Sequence, residues 1–159
     1  MASNYFLKID GIPGESLDSK HKDEIEVLSW SWGESHQGAV SPGGGAGTGK
    51  VAMTDLQVTT LISRASPLLL LACASGKHVK SAILSGRKAG KGQLEYLTFS
   101  LSDVLVSSYQ TGASEAEAPL DSISLSFSKI EVSYTPQKPD GSPAPAVRAG
   151  WDVKANKAF

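Results

Sequence analysis

Hydrophobic and polar positions alternate most clearly between residues 24 and 33. Leu28, Trp30 and Trp32 fall on one face of an extended chain, and Ser29 and Ser31 fall on the other. Because successive side chains of a strand point to opposite faces, this spacing predicts a β-strand whose indole face is buried.

The start of this strand is apolar on its second face as well, because Ile25 and Val27 are in line with the two serines. A strand with apolar side chains on both faces has to bury both of them. We therefore expect a barrel wall in which a neighbouring subunit covers Ile25 and Val27.

A second informative pattern lies in residues 120–135. Their apolar positions are odd-numbered as far as Phe127 and even-numbered from Ile130 onwards. This change of parity predicts a bulge or a sharp bend near Ser128 and Lys129, as at the corner of a barrel.

Alternation elsewhere predicts a β-rich chain of about seven or eight strands. Residues 93–109 form one long predicted strand, and residues 111–119 are polar and predict a loop. We expect an antiparallel β-barrel, closed or nearly closed, with one short flanking helix. The side chains expected on one face of the long strand are Leu97, Phe99, Leu101 and Leu105.

The helix is predicted at residues 67–75. Ser66 can accept a hydrogen bond from a free amide at its N-terminus, and Pro67 loses nothing at the first helical position. Gly76 can adopt the left-handed conformation that ends a helix. The segment is apolar nearly all round, so we expect it to be buried against a sheet or another chain.

Residues 37–50 are rich in glycine and predict a long flexible loop. Residues 44–50 match the spacing of a phosphate-binding loop as far as Lys50. Val51 stands where that motif needs a hydroxyl, and a strand rather than a helix follows. We therefore expect no nucleotide site here.

Composition excludes several classes of protein. The 159 residues have a net charge of −1, with 40% hydrophobic and 19% charged residues, which is typical of a globular domain. There is no basic stripe for nucleic acid and no apolar run long enough for membrane insertion. The single cysteine, Cys73, excludes an intrachain disulfide, and the N-terminus lacks the pattern of a cleaved signal peptide. We expect one domain over residues 1–159 that folds in the cytoplasm.

No set of residues has the spacing of a catalytic or metal site. His21, His36 and His78 are far apart, and no serine lies in a nucleophile elbow, so we expect no enzyme activity, no metal and no cofactor. We interpret the histidines as ordinary loop residues. A solvated loop face is likewise the simpler interpretation of the acidic residues that could bind a cation, which are Asp18, Asp23, Glu24 and Glu26.

Small hydroxyl side chains recur at alternate positions of two predicted strands. Simple solvent exposure explains them, and so does the lining of a water-filled lumen that other molecules enter. The sequence pattern leaves both interpretations open. The residues concerned are Ser29, Ser31, Ser122, Ser124, Ser126 and Ser128.

Several sequence blocks together resemble one known family. They include YFLKIDGIPGES at residues 5–16, EIEVLSWSWG at 24–33, LLACASGKH at 70–78 and GWDVKAN at 150–156. Shorter blocks lie at 47–51, 87–90, 95–97, 103–108, 134–138 and 140–141. In order and over essentially the whole chain, they resemble the hemolysin-coregulated proteins (Hcp), the inner-tube subunits of the bacterial type VI secretion system.

The resemblance implies a barrel that assembles into hexameric rings, which stack into a hollow tube. It also implies export without a cleaved signal peptide, effectors that ride inside the ring, and sheath, spike and baseplate proteins as partners. The tryptophan strand then helps to line the channel, so Ser31 and then Ser29 become the candidate effector contacts. In the family the long loop reaches the adjacent ring; the ring-stacking candidates here are Val40, Ser41, Pro42, Gly43, Gly44, Gly45, Thr48 and Lys50.

Two other classes compete with a transport tube. A monomeric barrel that binds a small ligand inside its own lumen would need an apolar cavity with a few polar anchors. A secreted enzyme would need a catalytic set of residues, which the sequence does not offer.

Overall fold

A computed structural model describes residues 3–36, 50–89 and 92–159. This part of the chain forms strands and one helix. In chain order they are β1 (Ser3–Ile9), β2 (Ile25–Ser31), β3 (Glu34–His36), β4 (Val51–Met53), β5 (Leu56–Leu61), α1 (Ala65–Ser75), β6 (His78–Lys88), β7 (Glu95–Ser114), β8 (Glu117–Tyr134), β9 (Val147–Asp152) and β10 (Lys157–Ala158).

Six of the strands close into an antiparallel barrel. Their order is β8–β5–β2–β1–β6–β7, and β7 pairs again with β8 to close the ring. Strands β9 and β10 extend the sheet from β8, and β3 and β4 form a separate hairpin. The predicted antiparallel barrel with a short flanking helix is confirmed.

Side chains fill the interior of the barrel. Leu7 of β1, Leu84 of β6 and Leu125 of β8 are fully buried, together with many other aliphatic residues. Burial of one such side chain stabilises a fold by about 1.5–3 kcal/mol. The inner faces of all six strands therefore form one hydrophobic core.

Strand β2 departs from the sequence prediction at a bulge. Its register on β5 shifts between Val27 and Ser29, and Leu28 at the shift is 54% exposed. Ile25 and Val27 are only 2% and 8% exposed and belong to the core, which Trp30 continues after the bulge. The prediction that a neighbouring subunit covers Ile25 and Val27 is wrong, because their own barrel already buries them.

On both β7 and β8, the face of the strand that points into the core changes at positions that are paired with each other. On β7 the buried face passes from Leu101 to Val104, and on β8 it passes from Phe127 to Ile130. The sequence predicted a bulge or a sharp bend near Ser128 and Lys129; the core face does change there, but the pairing with β7 contains no bulge at this point.

The residue with unusual backbone geometry at this bend is Asp103 on the neighbouring strand. Its φ is 53°, a left-handed conformation that aspartate tolerates better than most side chains. The pairs Ser102–Lys129 and Val104–Phe127 flank it without a shift in register, so both strands turn together. Leu105 therefore leaves the core face on which the sequence predicted it.

The long β7–β8 hairpin replaces the loop predicted at residues 111–119. The ladder continues through Thr111–Asp121 to Ser114–Glu117, and a tight turn connects the two strands. The loop prediction was wrong because backbone pairing does not require an apolar face. This exposed end of the hairpin extends beyond the packed part of the barrel.

Helix α1 begins at Ala65, two residues before its predicted start. Ser66 does not cap it: the Ser66 hydroxyl donates to buried Asp121 and accepts a bond of 3.0 Å from the Ser63 amide. Tyr109 donates to the same carboxylate at 3.0 Å, and burial together with this bond raises the pKa of Tyr109. These contacts attach the start of the helix to the barrel.

The remainder of α1 is buried on one side. Leu69 and Ala72 pack into the core, whereas Leu70 and Leu71 are exposed. The prediction of a fully buried helix therefore holds for one face alone. Gly76 ends the helix in the left-handed conformation, as predicted, with φ of 65°. Within the described residues, no helix has the length and apolar character needed to cross a membrane.

Candidate functional site: the outer face of strands β2, β5 and β8

Two rows of polar side chains cross the outer side of the barrel. Residues directly opposite each other in an antiparallel pair point to the same face, so the register defines the rows. All eight side chains carry a hydroxyl or an amide, and none is ionised at neutral pH. We call them the neutral face: Ser29, Thr59, Ser122 and Gln110 in one row, and Ser31, Gln57, Ser124 and Ser108 in the other.

Hydrogen bonds order one row of the neutral face. Ser108 donates to the Ser124 hydroxyl at 2.7 Å, and Ser124 donates to the Gln57 amide oxygen at 2.7 Å. Ser29 and Ser31 lie beside this chain and are exposed. The face thus combines a fixed polar centre with hydroxyls that remain open to water.

The structure brings four of the six predicted serines together on this face. Ser128 lies elsewhere, at the bend, where its hydroxyl donates to Asp103 at 2.6 Å. Gln57 and Thr59 were not predicted as site residues, although they stand between the serines of β2 and those of β8. Gln57 and Thr59 alternate with the apolar Val58 in the sequence, and this alternation could have predicted that both side chains lie on the outer face of β5.

An apolar groove lies at the end of the neutral face. The next pair along β5 and β8 is Leu61–Leu120, and Leu61 is exposed together with Leu28 and Ile62. The groove measures about 130 Å³, and its lining includes the carboxylates Glu15 and Glu26.

The opposite side of the barrel is closed by its own chain. The segment between β1 and β2 folds over Phe6 and Arg87, which are 4% and 3% exposed. His21 stacks on the Phe6 ring at 4.4 Å between centroids, and the Arg87 guanidinium lies 5.1 Å from the same ring. Arg87 donates to Asp18 at 2.6 Å. We call Phe6, His21, Arg87 and Asp18 the covered face.

Charges on the covered face are held by specific partners. The hydrogen bond from Arg87 holds the pKa of Asp18 well below its usual range and raises that of Arg87. The His21 Nδ1 lies 2.9 Å from Glu24, and its Nε2 contacts Glu95. The interpretation of Asp18 and Glu24 as a solvated loop face is therefore wrong, and His21 is a buried, partnered side chain rather than an ordinary loop histidine.

A third polar cluster lies at the bend of β7. Asp103 accepts from Ser128, from His78 at 2.8 Å and from Lys154 at 3.1 Å; these bonds hold the pKa of Asp103 well below its usual range. A catalytic triad needs the serine on the imidazole, whereas Ser128 bonds to the carboxylate. This cluster anchors the bend.

Comparison with known proteins identifies the family. Residues 6–134 match the family model described as "Type VI secretion system effector, Hcp". A relative from Pseudomonas aeruginosa, protein hcp1, is 46% identical over 159 residues, with 98% of each chain covered. The chain belongs to the Hcp family.

Solved Hcp structures agree with this barrel. The crystal structure of Hcp1 from Salmonella typhimurium is 41% identical with a TM-score of 0.80, and 100% of each chain is covered. A second structure, of a type six secretion system protein, is 30% identical with a TM-score of 0.93, covering 99% of this chain and 100% of its own. The resemblance inferred from the sequence blocks is confirmed.

Most of the predicted ring-stacking residues of this Hcp chain, Val40 to Gly45 and Thr48, lie outside the described residues. Lys50 is exposed immediately before β4, and Val51 starts a strand, as the argument against a phosphate-binding loop requires. Among described residues, no group of three histidine, cysteine, aspartate or glutamate side chains is arranged for a metal, and Cys73 is a half-buried free thiol.

Proposed function

We propose that this Hcp chain is a structural subunit of the type VI secretion tube. It assembles into hexameric rings that stack, is exported with the tube without a cleaved signal peptide, and carries effectors in the ring lumen. Family membership supports the tube role. The observation that carries the lumen assignment is the neutral face, with its two rows of uncharged polar side chains.

A neutral hydroxyl face suits a passage for varied proteins. Hydroxyl and amide groups exchange bonds with water for bonds with a cargo at a net gain of about 0.5–1.5 kcal/mol each. Uncharged rows neither select cargo by its net charge nor hold it through desolvated ion pairs. Such a lining retains a protein weakly and releases it readily.

The remaining parts of the proposal follow from the same role. Sheath, spike and baseplate proteins are the expected partners outside the ring, and the chain needs neither a cofactor nor a catalytic residue. Ser31 and Ser29 contact the cargo, and Lys50 belongs to the ring-stacking loop. The rival role, a monomeric barrel that binds a small ligand, has less support because leucine and isoleucine side chains occupy the barrel interior.

The first test is the native mass in solution, measured by multi-angle light scattering over a dilution series. We expect a mass six times that of the 16.6 kDa chain at high concentration. A strict monomer at every concentration would overturn the ring and favour the ligand-binding barrel.

The lumen assignment is tested with Ser31→Gln. A longer side chain on the neutral face changes the lining without touching the core, so rings should persist while co-purification of an effector falls severalfold. Ser102→Gln is the matched control, because Ser102 is an exposed serine of β7 outside the neutral face. Equal loss in both variants, or loss of rings in Ser31→Gln, would contradict the assignment.

A further inference from the structure

The outer side of the barrel continues beyond the neutral face into an apolar and acidic level. Leu61 follows the two β5 residues of the neutral face on the same side of that strand, and its partner on β8 is Leu120. Glu26 of β2 lies between two core residues, so its side chain points outward as well. We call the concavity at this level the acidic groove and define it as Glu15, Glu26, Leu28, Leu61 and Ile62.

The apolar side chains of the acidic groove are open to solvent. Leu28, Leu61 and Ile62 are 54%, 45% and 44% exposed, although all three line the same concavity. Soluble proteins seldom leave contiguous apolar surface uncovered, so such a cluster indicates a contact with another molecule. The molecule that fits here has to bring apolar atoms to these side chains.

The carboxylates of the acidic groove have no cationic partner in the described part of the chain. Neither Glu15 nor Glu26 forms an ion pair there, and no lysine, arginine or histidine belongs to the lining of the groove. Arg64, close by in the sequence, is engaged elsewhere: it binds Asp23 at 3.0 Å and donates to the Gly14 carbonyl. Like charges that face one surface repel each other until a cation joins them. The partner that these carboxylates fit is therefore a cation of another molecule.

The wall that carries Glu15 is fixed to the residues just before β2. Gly14 donates to the Asp23 carbonyl at 2.7 Å, and Ser16 donates to the Glu24 carbonyl at 3.0 Å. Asp23 donates back to the Ser16 carbonyl at 2.9 Å. A β-carbon at Gly14 would collide with the Glu24 carbonyl, so glycine permits this close approach. The groove is thus preformed, and a ligand binds without first having to order the chain.

We propose that the acidic groove binds a segment of the cargo protein in which lysine or arginine stands beside large aliphatic residues. This inference rests on the proposed carriage of effectors and names the chemistry of the segment that is held. Lysine and arginine fit both parts of the groove, because their aliphatic stems cover leucine side chains while the cation reaches a carboxylate. An acidic segment would be repelled by both carboxylates, and a purely polar one would leave the apolar side chains in water.

The acidic groove and the neutral face act on different parts of one cargo. The Leu61–Leu120 pair is the next outward-facing pair after Thr59–Ser122, so a segment bound in the groove continues directly onto the neutral face. The neutral face lets most of the cargo pass without selection by charge, whereas the groove holds one short segment. Retention therefore depends on a local sequence in the cargo and not on its net charge.

Short peptides test the chemistry of the acidic groove. The probe is a capped peptide of alternating leucine and lysine, and isothermal titration calorimetry measures its dissociation constant for the full-length protein. We expect it to bind at least tenfold more tightly than a peptide with glutamate in place of lysine, and than one with serine in place of leucine. Equal binding of the three peptides would overturn the proposal.

Substitutions test whether the peptide binds in this groove. Glu26→Gln and Leu61→Ser should each weaken binding of the leucine–lysine peptide severalfold, because each removes one part of the contact at an exposed position. Glu115→Gln at the hairpin end and Leu71→Ser on the exposed side of α1 are the matched controls and should bind like the wild type. Circular dichroism checks that each variant folds. Unchanged affinity in both groove variants, or equal loss in the controls, would overturn the assignment.

The result can be separated from that of the tube role. The acidic groove lies within a single copy, so peptide binding does not require rings. A monomeric wild type in light scattering would overturn the ring, and with it the cargo role of the groove, even if the peptide binds. Co-purification of an effector that falls in Ser31→Gln but not in Glu26→Gln would overturn the groove as a cargo site and keep the lumen assignment.

Discussion

The neutral face and the covered face lie on the same barrel, and both are polar, but they are built in different ways. The covered face uses a buried guanidinium, an aromatic stack and partnered carboxylates under a segment of its own chain. The neutral face uses hydroxyls and amides and has no covering segment among the described residues. The comparison indicates that the covered face gives its buried charges fixed partners, whereas the neutral face carries no charge.

The physical reason is the cost of removing charges from water. A charge that loses its water needs a partner in good geometry, and Asp18 offers Arg87 such a partner at 2.6 Å. A surface that meets changing molecules has no guaranteed partner. Hydroxyls avoid that cost because water satisfies them whenever a cargo does not.

The largest expected effect is on the covered face. Phe6→Ala should destabilise the fold by about 3–5 kcal/mol, because it removes a buried ring between His21 and Arg87 and leaves a cavity. Urea denaturation measures the free energy of unfolding. Asn4→Ala, at an exposed position of the same strand face, is the control and should change it by no more than about 0.5 kcal/mol. A similar small change in Phe6→Ala would show that the cover is dispensable.

An intermediate effect concerns acid stability. Because Arg87 lowers the pKa of Asp18 below the ordinary 3.8, the folded state holds this carboxylate ionised more strongly than the unfolded chain does. The resulting stability is present above the unfolded pKa and is lost as pH falls through the lowered one.

The measurement compares wild type with Asp18→Asn in urea denaturation from about pH 6 to about pH 2. The variant should be less stable at the upper end, and the two curves should converge as the pH falls. For the control Glu115→Gln, at the exposed hairpin end, the free energy of unfolding should depend on pH in the same way as for the wild type. A constant gap between wild type and Asp18→Asn would contradict the ion-pair explanation.

The smallest expected effect is on the neutral face. Ser29→Ala removes an exposed hydroxyl that bonds to water, so the free energy of unfolding of the dissociated subunit should change by no more than about 0.5 kcal/mol. The same urea denaturation checks this value. A loss above 1 kcal/mol would mean that the serine supports the fold, and the contrast between the two faces would then fail.

Sequence patterns predicted the barrel and the change of face on β8, but not the bulge on β2. The shift from Phe127 to Ile130 on β8 was interpreted as a bend, and the structure confirms the change of face. The equivalent shift on β2, from Val27 to Trp30, was interpreted as two apolar faces, although it is a bulge at Leu28. In both segments the apolar positions change from odd-numbered to even-numbered. On β2 the exposed Leu28 concealed this change, because its side chain was expected in the core.

Cross-strand neighbours could not be predicted in the same way. Asp18 and Arg87 are 69 residues apart in the sequence, and nothing local to either residue indicates their pairing. The rows of the neutral face likewise depend on the register between β2, β5 and β8, which the whole barrel determines. Sequence patterns therefore found the serines but not Gln57 and Thr59 between them.

The shared bend at Asp103 and Ser128 also limits how this protein can vary in length. A one-residue deletion in β7 or β8 alone would turn the core-facing side chains outward from that point to the strand end. A deletion from both strands at paired positions would keep the two faces in phase. Insertions and grafted peptides should therefore be tolerated at the exposed hairpin end, beyond the Ser114–Glu117 pair, where no side chain has to return to the core.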